Sequence, residues 1–350
     1  MNSNRTDKIV ANWVFIGVGM LVVQVLLGGI TRLTGSGLSI TEWKPIMGAM
    51  PPMSESEWQK VFEQYRQIAQ YKYINNHFTL GDFKFIFFWE WFHRLWARLI
   101  GVVFLIPFVY FILKKYFQKW MINPLVILFF LGGVQGLLGW IMVKSGLNDE
   151  NVYVNHIKLA IHFLAAMVLI CYALVFGLMI IVKPGERLVH APLKKLAVLI
   201  VVLISFQLMY GAFMAGLKAA QAAATWPTIN GEFFPTTMMQ DGFFDSLFFN
   251  RLAIHFIHRN LAYLIFILVG IWWYKARKAK ASGVFNKIKN WPFVLVLIQV
   301  VLGILAVVNS TGIIAGKFSV FEWFALLHQL TGMLLLLSFV ASLYLLKIKK

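Results

Sequence analysis

The chain of 350 residues is short of charge: Asp, Glu, Lys and Arg make up only 13% of it, about half of the roughly 25% found in a soluble globular protein. With 60% hydrophobic residues and a mean hydropathy of +0.73, that scarcity excludes a soluble fold. Cysteine is nearly missing as well. Its one representative, Cys171, lies inside an apolar run, which excludes an intrachain disulfide and a thiolate metal cluster. Acids number 14 against 32 bases, and their absence from one set of connections proves informative.

A spanning helix needs about 20 mostly apolar residues, and eight such stretches occur, near 12–31, 86–113, 121–143, 157–182, 195–217, 251–274, 291–310 and 321–346. The expected fold is therefore an all-α polytopic membrane protein. The first stretch follows a basic start, yet it runs on into Gly28-Gly29-Ile30-Thr31-Arg32 with no small-residue cleavage pattern, so it reads as a span and not as a cleavable leader. With the N-terminus inside, the inner tails and loops carry 18 of the Lys and Arg residues and only two acids, Asp7 and Glu186. That is the positive-inside bias, with both termini cytoplasmic. The net charge of +18 thus reports topology and lipid-facing loops, not a nucleic-acid site. Two outer connections are long, about 32 to 85 and 218 to 250. In the first, Trp43, Pro45, Pro51, Pro52 and Trp58 accompany a stretch from Glu55 to Lys72 with helical apolar spacing, expected to be an interfacial helix or a cap over the bundle.

An internal repeat organises the spans. Each odd-numbered span holds a Gln followed four residues later by Gly: Gln24/Gly28, Gln135/Gly139, Gln207/Gly211 and Gln299/Gly303. Each even-numbered span holds a His followed four later by a small residue: His93/Ala97, His162/Ala166, His258/Ala262 and His328/Gly332. The Gln-to-His separations alternate long and short, which predicts two pseudo-symmetric four-helix bundles, residues 1–190 and 191–350.

The four histidines share one depth, one to three turns from the outer end of their spans. Two per half, on helices facing each other across a bundle, is the arrangement that grips an iron porphyrin on both axial sides. The small residue at i+4 stacks beside the His and leaves room for a macrocycle. The Gln and Gly of the odd spans serve either helix packing or heme contact. A di-iron carboxylate site would need several inward Glu residues, and the spans offer only Glu90 and the more peripheral Glu322. His77 and His190 fall in loops, His156 at the boundary of span four, and His255 on the face of His258 but without its Ala at i+4.

Glu90 lies three residues before His93, on the same helical face one turn further out. An ionisable group there marks a functional site by default, against the reading of a surface carboxylate paired with Arg94 or Arg98. No acid precedes the other three histidines at that spacing, so the halves differ: an acid with two His suits chemistry, two His alone suit a resident electron carrier. Arg94, Arg98 and Arg259 are candidate contacts for heme propionates or snorkelling residues.

Gly-Gly-Ile-Thr-Arg-Leu-Thr-Gly-Ser-Gly-Leu-Ser at 28–39, Thr-Glu-Trp-Lys-Pro at 41–45, Trp-Glu-Trp-Phe-His-Arg at 89–94, Gln-Gly-Leu-Leu-Gly-Trp-Ile-Met-Val-Lys-Ser-Gly-Leu at 135–147, Thr-Trp-Pro-Thr-Ile-Asn-Gly at 225–231 and Leu-His-Gln at 327–329 together resemble the heme A synthase family over nearly the whole chain. The resemblance is to the version of Gram-negative bacteria and mitochondria; other members carry an outer-loop cysteine pair that this chain lacks, so no cysteine-dependent step transfers. It implies oxidation of the C8 methyl of heme O to a formyl group by successive hydroxylations, with oxygen from water, giving heme A for terminal oxidases. It implies that His93 and His162 ligate the substrate heme, that His258 and His328 hold a permanent heme b, and that Glu90 acts near the methyl as proton acceptor or by stabilising positive charge. It further implies the bacterial inner membrane, heme O synthase and oxidase assembly factors as partners, and an electron acceptor that the sequence does not name, quinone being one candidate. A diheme b-type electron-transfer cytochrome explains the four histidines equally well but gives no reason for Glu90 in one half, and a heme exporter or chaperone would leave the pigment unchanged.

Overall fold

The computed structural model describes residues 3–42, 47–240, 242–281, 283–312 and 318–348; Trp43 to Pro45 of the first outer loop lie outside them. Eight helices are long and apolar enough to cross a membrane: TM1 Ser3–Leu33, TM2 Leu80–Leu113, TM3 Lys119–Lys144, TM4 His156–Ile181, TM5 Ala191–Gly216, TM6 Arg251–Lys278, TM7 Trp291–Val308 and TM8 Val320–Leu345. The chain is an all-α multi-pass membrane protein.

Two helices start earlier than hydropathy alone suggests, for local reasons. TM2 begins at Leu80 because Thr79 and Asp82 form a capping box: the Asp82 amide donates to Thr79 Oγ1 and the Thr79 amide to Asp82 Oδ2, 2.9 Å. That reciprocal cap satisfies two otherwise orphaned N–H donors. TM1 reaches back into the basic N-terminal segment, where the Asp7 carboxylate accepts from Gln118 Nε2 at 2.9 Å in the TM2–TM3 connection.

TM1 packs on TM2 and TM4, and TM3 on TM4; TM5 packs on TM6 and TM8, and TM7 on TM8 and TM6. The two sets meet where TM4 lies on TM5 and TM8 and where TM1 approaches TM8. The largest apolar core fills this meeting region, with Ile170, Leu193, Ile200, Val269, Trp272 and Phe339 fully buried. Trp272 leaves no polar atom orphaned there, since its Nε1–H donates to the Leu193 carbonyl at 3.2 Å. At the basic end, Leu188–Val189 pairs in parallel with Leu346–Lys347, tying the TM4–TM5 connection to the end of TM8.

At the opposite end the segment expected as one helix over 55–72 forms two, Glu55–Arg66 and Ala69–Tyr73. The break falls at Ile68, which is extended and buried in the cluster of Phe62, Tyr65 and Phe83, and the Ala69 amide then donates to the Asn148 carbonyl at 3.1 Å, tying the second helix to the TM3–TM4 connection. Phe62 and Tyr65 pack on Phe83 and Phe87 of TM2. The Tyr65 hydroxyl donates to Gln70 Oε1 at 3.0 Å and accepts from Asn75 Nδ2 at 2.8 Å, and Gln70 Nε2 reaches the Gly35 carbonyl at 3.2 Å. Gly35 sits at φ +69°, a conformation only glycine adopts freely. The cap is therefore latched to the tight turn after TM1, and that turn builds the site.

Candidate functional site: paired histidines in one cavity

His93, His162, His258 and His328 all line a single cavity of about 970 Å³, with Ala97, Ala166, Ala262 and Gly332 beside them. Each histidine meets the Gln and the Gly of the preceding odd span. Gln24 Nε2 lies 3.2 Å from His93 Nε2, Gln135 Nε2 3.2 Å from His162 Nδ1, Gln207 Nε2 3.3 Å from His258 Nε2 and Gln299 Nε2 3.2 Å from His328 Nε2. The glycine lets the imidazole lie against the helix backbone. A Cβ at Gly139 or Gly303 would stand 2.9 Å from Cε1 of His162 or His328, and one at Gly28 or Gly211 3.2 or 3.3 Å from Cε1 of His93 or His258. The repeated sequence element is thus one repeated clamp: an amide above the ring, a bare backbone behind it.

Three observations bear on whether a heme fits. First, the rings of His258 and His328 stand 6.2 Å apart centre to centre. Two imidazoles bonded to one metal at about 2.0–2.1 Å, each ring centre about 1.1 Å beyond its nitrogen, would stand roughly 6.3 Å apart. Second, His328 Nδ1 lies 3.0 Å from the Gln299 carbonyl; a proton donated there makes Nε2 the acceptor, which takes the Gln299 amide at 3.2 Å here and would exchange it for a metal. Third, Oε1 of Gln24, Gln135, Gln207 and Gln299 and Nδ1 of His258 are buried without a partner, the condition of polar atoms waiting for a bound group or water. Among the described residues no group of three or more His, Cys, Asp or Glu could hold a metal, whereas a porphyrin brings its own four nitrogens and asks only for two axial ligands. The residues present fit heme.

Glu90 is not a surface carboxylate. It is 2% exposed and lines the cavity, with every donor around it identified: Ser39 Oγ at 2.7 Å and the Ile40 amide at 2.8 Å on Oε2, Arg94 Nη2 at 2.5 Å on Oε1. Arg94 also donates to the Ile40 carbonyl at 3.3 Å. A buried ion pair is tolerated when hydrogen bonds satisfy the remaining lone pairs, and the turn at 34–40 supplies them. Glu322, the other acid in the spans, is also 2% exposed. It closes a capping box with Ser319 at the start of TM8, so its carboxylate serves the helix end.

The remaining histidines separate by geometry. His255 Nε2 accepts from Arg259 Nη2 at 2.9 Å, while His258 is the one facing His328. His156 Nε2 donates to the Phe248 carbonyl at 2.8 Å and packs between Phe213 and Phe249, joining the second outer loop to TM4. His190 caps TM5 by accepting from the Leu193 amide, and His77 stacks edge-on to Phe78. Arg94, Arg98 and Arg259 all line the cavity. The donors of Arg259 go to the carbonyls of Thr225, Pro227 and Thr228 at 2.8–3.0 Å, so this arginine organises the Thr-Trp-Pro-Thr loop.

Several partners were invisible to sequence reasoning. Ser39 and the Ile40 amide, which fix Glu90, lie 51 and 50 residues away along the chain. Arg32 donates to the Ala215 carbonyl at 3.3 Å, and Gln329 Nε2 to the Val25 carbonyl at 3.1 Å, both across the meeting of the two helix sets. Ser39, Arg32 and Gln329 all sit in the quoted stretches 28–39 and 327–329, which is the only signal that pointed to them.

Fold and site together define a membrane protein with four Gln–His–Gly clamps around one internal cavity, and a buried carboxylate, Glu90, one helical turn before His93. The chain belongs to the cytochrome oxidase assembly protein family, whose profile matches residues 11–340. It is similar to a protein of Flavobacterium psychrophilum named heme A synthase, 36% identical over 337 residues that cover 95% of this chain and 96% of that protein. Proteins of the same name from Parvibaculum lavamentivorans and Rhodospirillum centenum are 41% and 42% identical, over 86% and 76% of this chain and 88% and 72% of theirs.

Proposed function

We propose that this protein is a heme A synthase of the bacterial inner membrane, with its basic end in the cytoplasm. Its TM1–TM4 half, residues 1–190, takes heme O between His93 and His162, and its TM5–TM8 half, residues 191–350, retains heme b between His258 and His328. The observation that carries the reading is a difference between two otherwise matching halves: the same Gln–His–Gly clamp occurs four times, and in the first half alone a buried carboxylate, Glu90, stands one helical turn before a clamped histidine, whereas Glu322, buried in the same cavity, lies six residues before His328 and is bonded to Ser319. Membership of the family and the names of the relatives support it.

The retained heme b would supply a one-electron relay to an external acceptor, quinone being a candidate. The protein's own residues do the rest. The His93 and His162 rings, backed by Gly28 and Gly139 and covered by Gln24 and Gln135, set the plane and depth of the substrate. Glu90, anchored by Ser39, Ile40 and Arg94, presents a fixed negative charge. Oxidation of a methyl group develops positive charge on its carbon, and a preorganised carboxylate in a site of low dielectric stabilises that charge without reorganising. Three donors already engage Glu90, so a stationary charge that orients water suits it better than a mobile base. Arg98 lines the same cavity and is the candidate for a substrate propionate, whereas Arg94 serves Glu90.

The test is mass analysis of hemes extracted from cells making heme O together with this protein or its Glu90→Gln variant. Heme A is expected with the intact protein alone. A red, folded intact protein that yields only heme B and heme O would favour the diheme cytochrome or a heme carrier, a reading to which the sameness of the four clamps lends itself.

A further inference from the structure

The two helix sets differ in one packing contact. In the second set TM6 and TM7 lie side by side, closing the ring of four helices; in the first, the corresponding TM2 and TM3 scarcely approach each other. Gly101 of TM2 and Gly132, Gly133 and Gly136 of TM3 line the cavity at this gap, and no atom lies within 4 Å of where a Cβ would stand on any of them. Leu105 and Phe129 also line the cavity while 43% and 51% exposed on the outside of the protein. The cavity beside His93 and His162 therefore opens sideways, toward lipid.

The repeat shows what a closed version looks like. Counted from the His, Gly101 corresponds to Phe266; counted from the Gln, Gly132 and Gly136 correspond to Val296 and Val300. Phe266 and Val296 pack into the main apolar core. The opening thus replaces a phenylalanine and two valines by glycines at matched positions. Toward the basic end the gap closes on stacked rings: Phe104 lies 6.3 Å from Phe129 and 5.7 Å from Phe108, with Trp13 at 5.4 Å. From His93 to Phe104 the slot runs about 16 Å along the helix at 1.5 Å per residue. Apart from Arg98, one turn below His93, the named lining below the histidines is apolar, and the buried Oε1 atoms of Gln24 and Gln135 lie up at the level of the histidines.

We propose that the gap between TM2 and TM3 is a lateral port, and that the glycine-lined slot below His93 and His162 receives the long isoprenoid chain by which heme O differs from heme b. The inference rests on the proposed function and adds a selectivity device to it. A heme bearing the chain fits only the open half, whereas the half filled by Phe266, Val296 and Val300 accepts a heme without it. A chain lying in the bilayer enters by the same gap, so substrate need never leave lipid.

The experiment titrates purified protein in lipid nanodiscs, already carrying its retained heme, with heme O and separately with heme B, reading the absorbance of the newly bis-histidine-ligated heme. Gly101→Phe, Gly132→Val and Gly136→Val introduce the residues of the closed half; each enters open space and removes a helix-disfavoured glycine, so elution as a monodisperse species with unchanged retained heme is expected. Heme O affinity should fall at least tenfold in Gly136→Val and Gly101→Phe while heme B affinity changes by less than threefold. Wild-type heme O affinity in all three variants would overturn the port and leave the functional reading standing. Absence in the wild type of any added-heme signal that His93→Ala removes would overturn both.

Discussion

Gly303→Ala should expel the retained heme without unfolding the protein. The added Cβ would stand 2.9 Å from His328 Cε1 and 3.3 Å from its Nδ1. Carbon atoms in contact prefer about 3.5–4.0 Å, so the ring has to retreat by roughly 0.6 Å or more. For folding, that retreat is cheap. The displaced atom is at the end of a side chain that borders a cavity, and replacing a mid-helix Gly by Ala favours the helix by about 1 kcal/mol. For ligation it is not cheap, because functional constellations need their first contacts within about 0.5 Å. The His258 and His328 rings are at 6.2 Å, with no slack relative to a shared metal. Moving His328 also breaks the 3.0 Å contact of Nδ1 with the Gln299 carbonyl, and loss of such an outer partner alone typically lowers metal affinity 10- to 100-fold.

The series of four Gly→Ala variants makes this quantitative. Gly303 and Gly139 would place the new methyl at 2.9 Å, Gly28 and Gly211 at 3.2 and 3.3 Å, so heme occupancy in the second half should fall more in Gly303→Ala than in Gly211→Ala. Gly139→Ala and Gly28→Ala should leave the second half untouched. Reduced-minus-oxidised spectra normalised to protein mass, with thermal melts alongside, read both quantities. Full occupancy with an unaltered spectrum in Gly303→Ala would refute the clamp, and so would a loss of heme accompanied by collapse of the melting temperature.

Other perturbations follow from the same contacts. Glu90→Ala takes the acceptor from Ser39 Oγ and the Ile40 amide and breaks a largely buried ion pair with Arg94, at a cost of about 3 kcal/mol; Glu90→Gln keeps an acceptor for Ser39 and Ile40. Thermal melts should therefore separate the two variants, with only the Ala form strongly destabilised, while heme A should vanish from extracts of both. The Tyr65 phenol, outside the membrane spans, is pushed above its ordinary value by burial. Its neutral form is the one the fold prefers, so the cap is fully stabilised below about pH 10 and loses stability as pH rises past that unfolded value. Quenching of the cap's Trp58 should increase above pH 10 in the native protein, and Tyr65→Phe should flatten that rise at the expense of the bonds to Gln70 and Asn75. Arg259→Ala frees the carbonyls of residues 225, 227 and 228, so limited proteolysis on the TM5–TM6 side should cut this loop several-fold faster; unchanged cleavage would show that the loop stands without it.

Much of this architecture is legible in the sequence because a membrane imposes one dimension of order on a chain. Apolar length gave the eight spans, and the uneven distribution of Lys and Arg gave their sidedness as an expectation. The Gln-x-x-x-Gly and His-x-x-x-small elements are local patterns whose meaning emerges only when two of them face each other: Gln299 contacts His328 from another helix, and neither residue alone says so. Glu90 was legible as an acid in an apolar place, but its burial depends on Ser39 and Ile40, brought back by a turn that Gly35 permits. Spacing along one helix carries no information about such a turn, which is why a paired surface carboxylate was a fair competing reading. The break of the cap at Ile68 was not legible for the same reason: it coincides with a bond from the Ala69 amide to the Asn148 carbonyl, a partner 79 residues away along the chain.

The most consequential feature is one that the repeat conceals when it is read for likeness. Aligning the halves on their histidines shows what they share; the difference lies at Gly101, Gly132 and Gly136 against Phe266, Val296 and Val300. Glycine in a spanning helix usually signals close helix packing, and at Gly28, Gly139, Gly211 and Gly303 it does, against an imidazole in each case. At the three unmatched positions nothing packs at all. The same residue type thus carries opposite meanings three residues apart on TM3: Gly139 admits a ring of the protein itself, and Gly136 leaves a space that the protein does not fill. A side chain missing from a wall is physically meaningful when its duplicate elsewhere in the chain shows that the fold tolerates it filled.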